Sequence, residues 1–283
     1  MEEKKDSEFK EYSFKNIKNK YILQYIFTYF TENKLLQIVK YNKNIQFKLN
    51  KDINDYIKYY KKVIIEITPI NKYPKSYFIQ YIEERKQQYY HIYFNDEKEE
   101  KYRDYITYDE NVTKIKIIID YKIISFEDLF DNCHCIEKIN FIKFDRKDIK
   151  SMRSMFRNCW SLKELNLNNF NTNNVTDMSH MFCGCCNLKE LNLTNFNTNN
   201  VTNMNEMFYE CSSLKELNLN NFNTNNVTEM AFMFSRCSSL KELNLKNFNT
   251  DNVTDMLGMF YGCSDKLKNK MRNLNLNIKK NAF

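Results

Sequence analysis

Glu164, Glu190, Glu216 and Glu242 recur at one fixed interval, each directly before a leucine, and Asn166, Asn192, Asn218 and Asn244 follow two places later. If these stretches lie side by side as strands, their carboxylates form a file spaced about 4.8 Å apart, beside a file of amides. Like charges in file repel one another, so cations must stand near them. Lys163, Lys189, Lys215 and Lys241, each one residue earlier, are available for that. Such a face suits a partner that brings lysine or arginine groups, or an extended peptide or glycan that accepts and donates hydrogen bonds. A separation of about 5 Å is also that of a retaining glycosidase pair. Hydrolysis, however, needs two carboxyls made unlike by their surroundings, and a repeated file makes them alike. The expectation is a partner-binding face made of these Glu and Asn residues, with no catalytic residue, no cofactor and no enzyme activity.

The remaining reactive side chains point to structure. Cys133, Cys159, Cys185, Cys211, Cys237 and Cys263 recur at the same interval inside an apolar pattern, as small buried core residues do. Cys183, Cys185 and Cys186 form C-x-C-C, and Cys133, His134 and Cys135 form C-H-C, and neither makes up the two C-x-x-C pairs of a zinc site, so no metal ligand is assigned. His180 and Cys183, three apart, are the minimum for a thiol nucleophile and its base. Nothing marks an oxyanion hole beside them, and Glu206, Phe232 and Gly258 stand in the place of His180 in later copies.

The elements that position these columns follow from the repeat itself. "NNVTDMSHMFCGCCNLKELNLTNFNT" from Asn173 returns from Asn199 and again from Asn225, a period of 26 residues. Degenerate copies precede it, through Ile149, Met152, Phe156 and Cys159, and before that Ile123, Phe126, Phe130 and Cys133. In "LKELNL" the leucines alternate with polar residues, the period of a half-buried strand. In "VTDMSHMFCGC" Val175, Met178, Met181, Phe182 and Cys185 recur at steps of three and four, which predicts a short helix capped by Thr176, with Thr202, Thr228 and Thr254 as equivalents. The polar "NFNTNN" reads as a turn in which Asn takes left-handed dihedrals. One strand and one short helix cannot bury their own apolar edge, so copies must stack into a continuous parallel sheet.

The pattern L-x-x-L-x-L-x-x-F resembles a leucine-rich repeat, with Phe170, Phe196, Phe222 and Phe248 closing it. More narrowly, "MFxxCxSLKELNLxNFNTxNVTxM" is similar to the BspA-like repeats, including those of Mycoplasma-type surface proteins, over Ile123 to Cys263. The resemblance implies an α/β leucine-rich-repeat solenoid, a parallel sheet with short helices on the other side, in a family whose members are often exported or surface-anchored. The domain reading is a helical segment over 1–75, a connecting and sheet-capping segment over 76–122, repeats over 123–265 and a C-terminal cap over 266–283.

Residues 17 to 67 read as two or three amphipathic helices, the last running through "DINDYIKYYKKVII". They resemble an F-box-like helical pair, which would imply a ubiquitin-ligase substrate adaptor. "HIYF" and "VTKIKIIID" read as strands, the second covering the open edge of the repeat sheet. Three Gly and two Pro among 283 residues exclude the glycine-rich phosphate cradles and the G-x-S-x-G elbow. The net charge of +7 is not gathered into a block, so nucleic acid is not an expected partner. The first twenty residues are charged throughout and lack the apolar core of a secretory signal, and no apolar run is long enough to span a membrane. The expected setting is cytoplasmic, with a protein partner on the sheet face; a BspA-like adhesin exported without a classical signal is the alternative.

Overall fold

The computed structural model describes residues 61–283 apart from 81, 83, 121, 122, 145, 246, 275 and 276, together with 21, 38, 39 and 42–50. Two compact units are distinguished, Met1–Lys61 and Lys62–Phe283. In the first, helix α1 (Lys43–Leu49) starts at Asn42, whose side chain accepts the N–H of Ile45, and stops at Asn50 in the left-handed region. Most of the helical pair compared above with an F-box lies outside the described residues.

The second unit opens with strand β1 (Val63–Pro69), not with the end of a helix. Val63, Ile64, Ile65 and Ile67 are β-branched, and the strand buries alternate residues, Val63, Ile65, Ile67 and Pro69. The short strands β2 (Ser76–Tyr77) and β4 (Tyr105–Ile106) pair with each other, antiparallel. Helix α2 (Glu84–Gln87) lies between them in sequence, as does β3 (Tyr90–Phe94), while β5 (Ile115–Ile119) and β6 (Ile136–Lys143) follow. β3 and β5 confirm the strands expected at "HIYF" and "KIKIII". The repeat strands are β7 (Glu164–Asn166), β8 (Glu216–Asn218) and β9 (Glu242–Asn244). The large sheet has the order β3-β5-β1-β6-β7, antiparallel up to β6 and parallel from β6 to β7. The open edge of β6, the strand of the degenerate first copy, is therefore covered by β1, with β5 one place farther out, and not by β5 as the sequence suggested.

The stacking is in register at the predicted period: Glu216 pairs with Glu242, Leu217 with Leu243 and Asn218 with Asn244. The parallel ladder is not continuous, because β8 and β9 form a separate two-stranded sheet and Glu190–Asn192 takes no ladder pairing among the described residues. Continuity is carried at a different place. Parallel bridges join Ser151 to Asp177, Asp177 to Asn203, Asn203 to Glu229 and Glu229 to Asp255, one per repeat.

The "VTDMSHMFCGC" segment is not a helix. It is a chain of turns, closed locally by Met181 N–H to Met178 C=O (3.3 Å), Cys183 N–H to His180 C=O (3.0 Å) and Cys185 N–H to Phe182 C=O (3.1 Å). The alternate amides point to the next repeat, with His180 N–H donating to Asn205 C=O (2.8 Å) and Phe182 N–H to Met207 C=O (3.0 Å). Residues in the left-handed region, His180 (φ 56°) and Gly184 (φ 73°), turn each successive amide outward, which no α-helix permits. Their equivalents Glu206, Glu210, Phe232, Arg236, Gly258 and Gly262 do the same. The apolar steps of three and four survive because each turn returns a side chain to the core.

The threonines and asparagines have correspondingly different roles. Thr176 caps no helix; its hydroxyl donates to Lys150 C=O (3.2 Å) of the preceding repeat. The asparagines of "NFNTNN" do not take left-handed dihedrals, and they bridge repeats: Asn195 Nδ2 donates to Leu167 C=O (3.0 Å) and Phe170 C=O (2.9 Å). Thr198 is fully buried, donating to Asn223 C=O (2.9 Å) and accepting Asn223 N–H (2.8 Å), so each rung is closed on both sides.

One hydrophobic core runs from Val63 to Ala282. Its axis is a pile of phenylalanines: Phe156, Phe182, Phe208, Phe234 and Phe260 stack with neighbouring ring centroids 5.6 to 5.7 Å apart. At the end, helix α3 (Asp265–Arg272), capped by Ser264, buries Leu267 and Met271. Phe283 then stacks on Phe260 at 5.4 Å. Asn281 C=O and Ala282 C=O accept the N–H groups of Gly258 and Phe260, both at 2.7 Å, where a further repeat would otherwise supply them.

Candidate functional site

The Glu and Asn columns stand where the period placed them. Glu164, Glu216 and Glu242 lie on exposed strand positions, as do Asn166, Asn218 and Asn244, and Glu190 and Asn192 occupy the matching places in the unladdered repeat. Glu190, Asn192, Glu216, Asn218, Glu242 and Asn244 line one trough of about 800 Å³. Glu164 and Asn166 line an adjoining hollow, with Lys138 and Asn140 of β6. Strand alternation places Leu217 and Leu243 between the polar columns, both buried.

Neutralisation of the carboxylates does not follow the lysine column. Glu164 pairs with Lys138 (2.6 Å), and Glu242 pairs with Lys270 of α3 (2.6 Å). The Lys270 ammonium, hydrogen-bonded to it, holds the Glu242 carboxyl below its ordinary range. Lys163 reaches back to Glu137 (2.7 Å), so the first repeat strand is tied to β6 by two crossed pairs. Between these ends, no ion pair to Glu190, Glu216, Lys189, Lys215 or Lys241 occurs among the described residues. The middle of the file is thus two carboxylates without a bonded cation among the described residues, on neighbouring repeats and lining one trough.

The cysteine column is core, and the structure shows why the thiol recurs. Cys185 Sγ donates to Phe156 C=O (3.2 Å), Cys211 to Phe182 (3.2 Å) and Cys237 to Phe208 (3.0 Å), so each thiol binds the backbone of the preceding repeat. All nine cysteines are free, and Cys186 alone is not buried. Burial pushes the Cys185 and Cys211 thiols well above their usual pKa and that of Cys183 up to about 12. A raised thiol pKa lowers the share of thiolate at neutral pH, the opposite of the lowered pKa that activates a cysteine nucleophile. In the native protein the half-buried Cys186 thiol, although burial raises it too, is expected to react with a disulfide reagent ahead of the other eight, and all nine after denaturation. Several fast native thiols in a stopped-flow trace would mean that the column is open.

The turn rim brings one group together that spacing within a single repeat did not reveal. Glu206 stands one period after His180, so its carboxylate lies 3.3 Å from His180 Nδ1 and 4.0 Å from Cys183 Sγ. The signal was present, since any two side chains 26 residues apart in this array are neighbours. A separate hollow of about 600 Å³ beside β2 and β4 holds cations already engaged: Lys75 Nζ sits 4.0 Å above the Tyr105 ring, and Arg103 is paired with Glu110.

No helix among the described residues is long and apolar enough to cross a membrane. No curated protein and no solved structure matches the chain. A family model described as "Mycoplasma protein of unknown function, DUF285" matches residues 124–217 and 185–282, more than half of the sequence and all of the stacked repeats. The chain therefore belongs to that family, whose repeats are of the BspA-like, leucine-rich type.

Proposed function

We propose that this protein is a non-enzymatic recognition scaffold, a repeat solenoid whose strand-side trough receives an extended, cationic segment of a partner protein. The observation that supports this is the uneven neutralisation of the Glu column. The end carboxylates are paired internally, whereas Glu190 and Glu216 in the middle are not, and they line the same trough as the amides of Asn192 and Asn218. Two carboxylates on neighbouring repeats of one trough can each take up a long, flexible lysine or arginine from alternate positions of an extended chain, whose same-face repeat is about 6.5 to 7 Å. Little ordering cost is paid on the scaffold side, because interrepeat hydrogen bonds already fix the face.

Reversing both charges, Glu190→Lys with Glu216→Lys, is expected to abolish capture of the partner from a native extract while leaving the melting temperature within about a degree or two of wild type, since exposed substitutions of this kind usually alter stability by under about 0.5 kcal/mol. Asp109→Lys, an exposed change of the same sign outside the trough, is the control and should retain capture. Partner recovery by quantitative mass spectrometry reads both variants. Undiminished recovery by the folded double variant would reject the trough as the binding face.

A further inference from the structure

We propose that His180, Cys183 and Glu206 form a binding site for a divalent transition-metal ion of the zinc type, with His180 Nδ1, Cys183 Sγ and a Glu206 carboxylate oxygen as ligands and a fourth position left to water. The ligand atoms of these three residues all lie within 4.8 Å of one another, and theirs is the one such group of three or more among the described residues. Zinc bonds of about 2.0 to 2.3 Å in a tetrahedron put donor atoms about 3.3 to 3.8 Å apart. The imidazole and carboxylate already meet that at 3.3 Å, and the thiol, at 4.0 Å from the same carboxylate oxygen, needs only a small side-chain adjustment.

The group is held by backbone and not by chance contact of long side chains. Cys183 N–H closes a turn onto His180 C=O (3.0 Å), which brings residues three apart to one side. His180 N–H to Asn205 C=O (2.8 Å) and Phe182 N–H to Met207 C=O (3.0 Å) then fix the next repeat, and with it Glu206, alongside. Cys183 is buried, and His180 and Glu206 keep side-chain exposures of 25% and 33%, enough for an ion and a water to enter.

The donor set matches the ion chemically. One thiolate and one carboxylate cancel the charge of a divalent cation, and mixed sulfur and imidazole ligation favours zinc over magnesium or calcium. On binding, the thiol proton passes to solvent as the sulfur–metal bond forms. Arg157, a cation whose charge acts on the Cys183 thiol, is already paired with Asp131 at 2.6 Å. The same two columns carry Asp128 with Asp131, Ser154 with Arg157, Phe232 with Ser235 and Gly258 with Tyr261 in other repeats, and Tyr209 beside Glu206, so the thiol, imidazole and carboxylate meet only where the nearly literal copies diverge.

Cobalt(II) is the probe. Metal-free full-length protein titrated with Co²⁺ is expected to develop a thiolate-to-cobalt charge-transfer band at about one equivalent, displaced by Zn²⁺. Cys183→Ser should abolish the band, and His180→Phe and Glu206→Gln should each weaken Co²⁺ and Zn²⁺ binding by at least about tenfold, because loss of even an outer partner of a metal ligand costs about 10- to 100-fold. Cys186→Ser should leave the titration unchanged. Ser235 and Phe232 already occupy the equivalent places in a sister repeat, so the first two substitutions suit the fold; should Cys183→Ser nevertheless unfold, Glu206→Gln, which keeps the thiol, still has to weaken binding. Absence of the band in wild type, its survival in folded Cys183→Ser, its loss in Cys186→Ser, or unaltered affinity in Glu206→Gln would each overturn the assignment.

Discussion

Phe208→Ala is expected to lower the unfolding free energy by about 3 to 5 kcal/mol, among the largest losses available to a single substitution in this chain. Phe208 is fully buried, with the ring of Phe182 at 5.6 Å on one side and that of Phe234 at 5.7 Å on the other, nearly parallel to both. The cost of such a truncation depends on how far the surroundings can close over the void. Here they cannot close along the stack, because Phe182 N–H to Met207 C=O and Phe208 N–H to Met233 C=O, at 3.0 and 2.9 Å, fix the spacing of the repeats independently of the rings. The void also lies between units that touch only their neighbours, so cooperativity between the two halves of the array weakens as well. Urea unfolding followed by circular dichroism reads the loss, and amide exchange should show faster opening around Phe208 than around Phe126. A loss under about 1 kcal/mol would mean that the rings are not in continuous contact.

Asp148→Ala is expected to cost about 3 to 5 kcal/mol by a different route. Arg146 is a fully buried guanidinium whose Nε donates to Asp148 Oδ1 at 2.8 Å and whose Nη2 donates to the Ile123 carbonyl and to Asp148 Oδ2. Removing the carboxylate takes two charge-assisted hydrogen bonds from a buried cation, which is far more costly than removing both partners. One period downstream from Arg146 stands Thr172, followed by Thr198, Thr224 and Thr250, the buried rungs of the regular repeats. The double change Arg146→Thr with Asp148→Asn therefore writes the regular repeat into the first, degenerate one, and should recover most of the stability lost by Asp148→Ala alone. A double variant as unstable as the single one, by thermal melts of both, would show that the clamp itself is required to join the antiparallel strands to the repeats.

How far the sequence disclosed this structure depends on which side of the repeat is considered. The period, the Leu, Phe, Met and Cys columns and the polar strand face were all readable, since in-register stacking turns spacing in sequence directly into distance in space. The turn rim was not, because Met178, Met181, Phe182 and Cys185 return to the core at the same steps of three and four in a chain of turns as in a helix. The distinguishing sign is conformational: two positions per repeat are held in the left-handed region, one of them whether it carries His180, Glu206 or Phe232 and the other whether it carries Gly184, Glu210 or Arg236, and side-chain identity does not announce them. Neutralisation was misjudged for a geometric reason. The lysine column suggested a regular lattice of pairs, but Lys138 of β6 and Lys270 of α3 capture only the end carboxylates. β1 was hidden because its isoleucines follow a helix-like run of Tyr and Lys, and the alternation that marks it begins only at Val63.

The tail from Lys279 to Phe283 presents to the last repeat the same carbonyls and the same ring that an additional copy would present. The terminating piece is thus indifferent to how many copies stand before it. Adding or removing one whole 26-residue unit would therefore change the reach of the array while leaving the contacts made by β6 and by the 279–283 segment as they are.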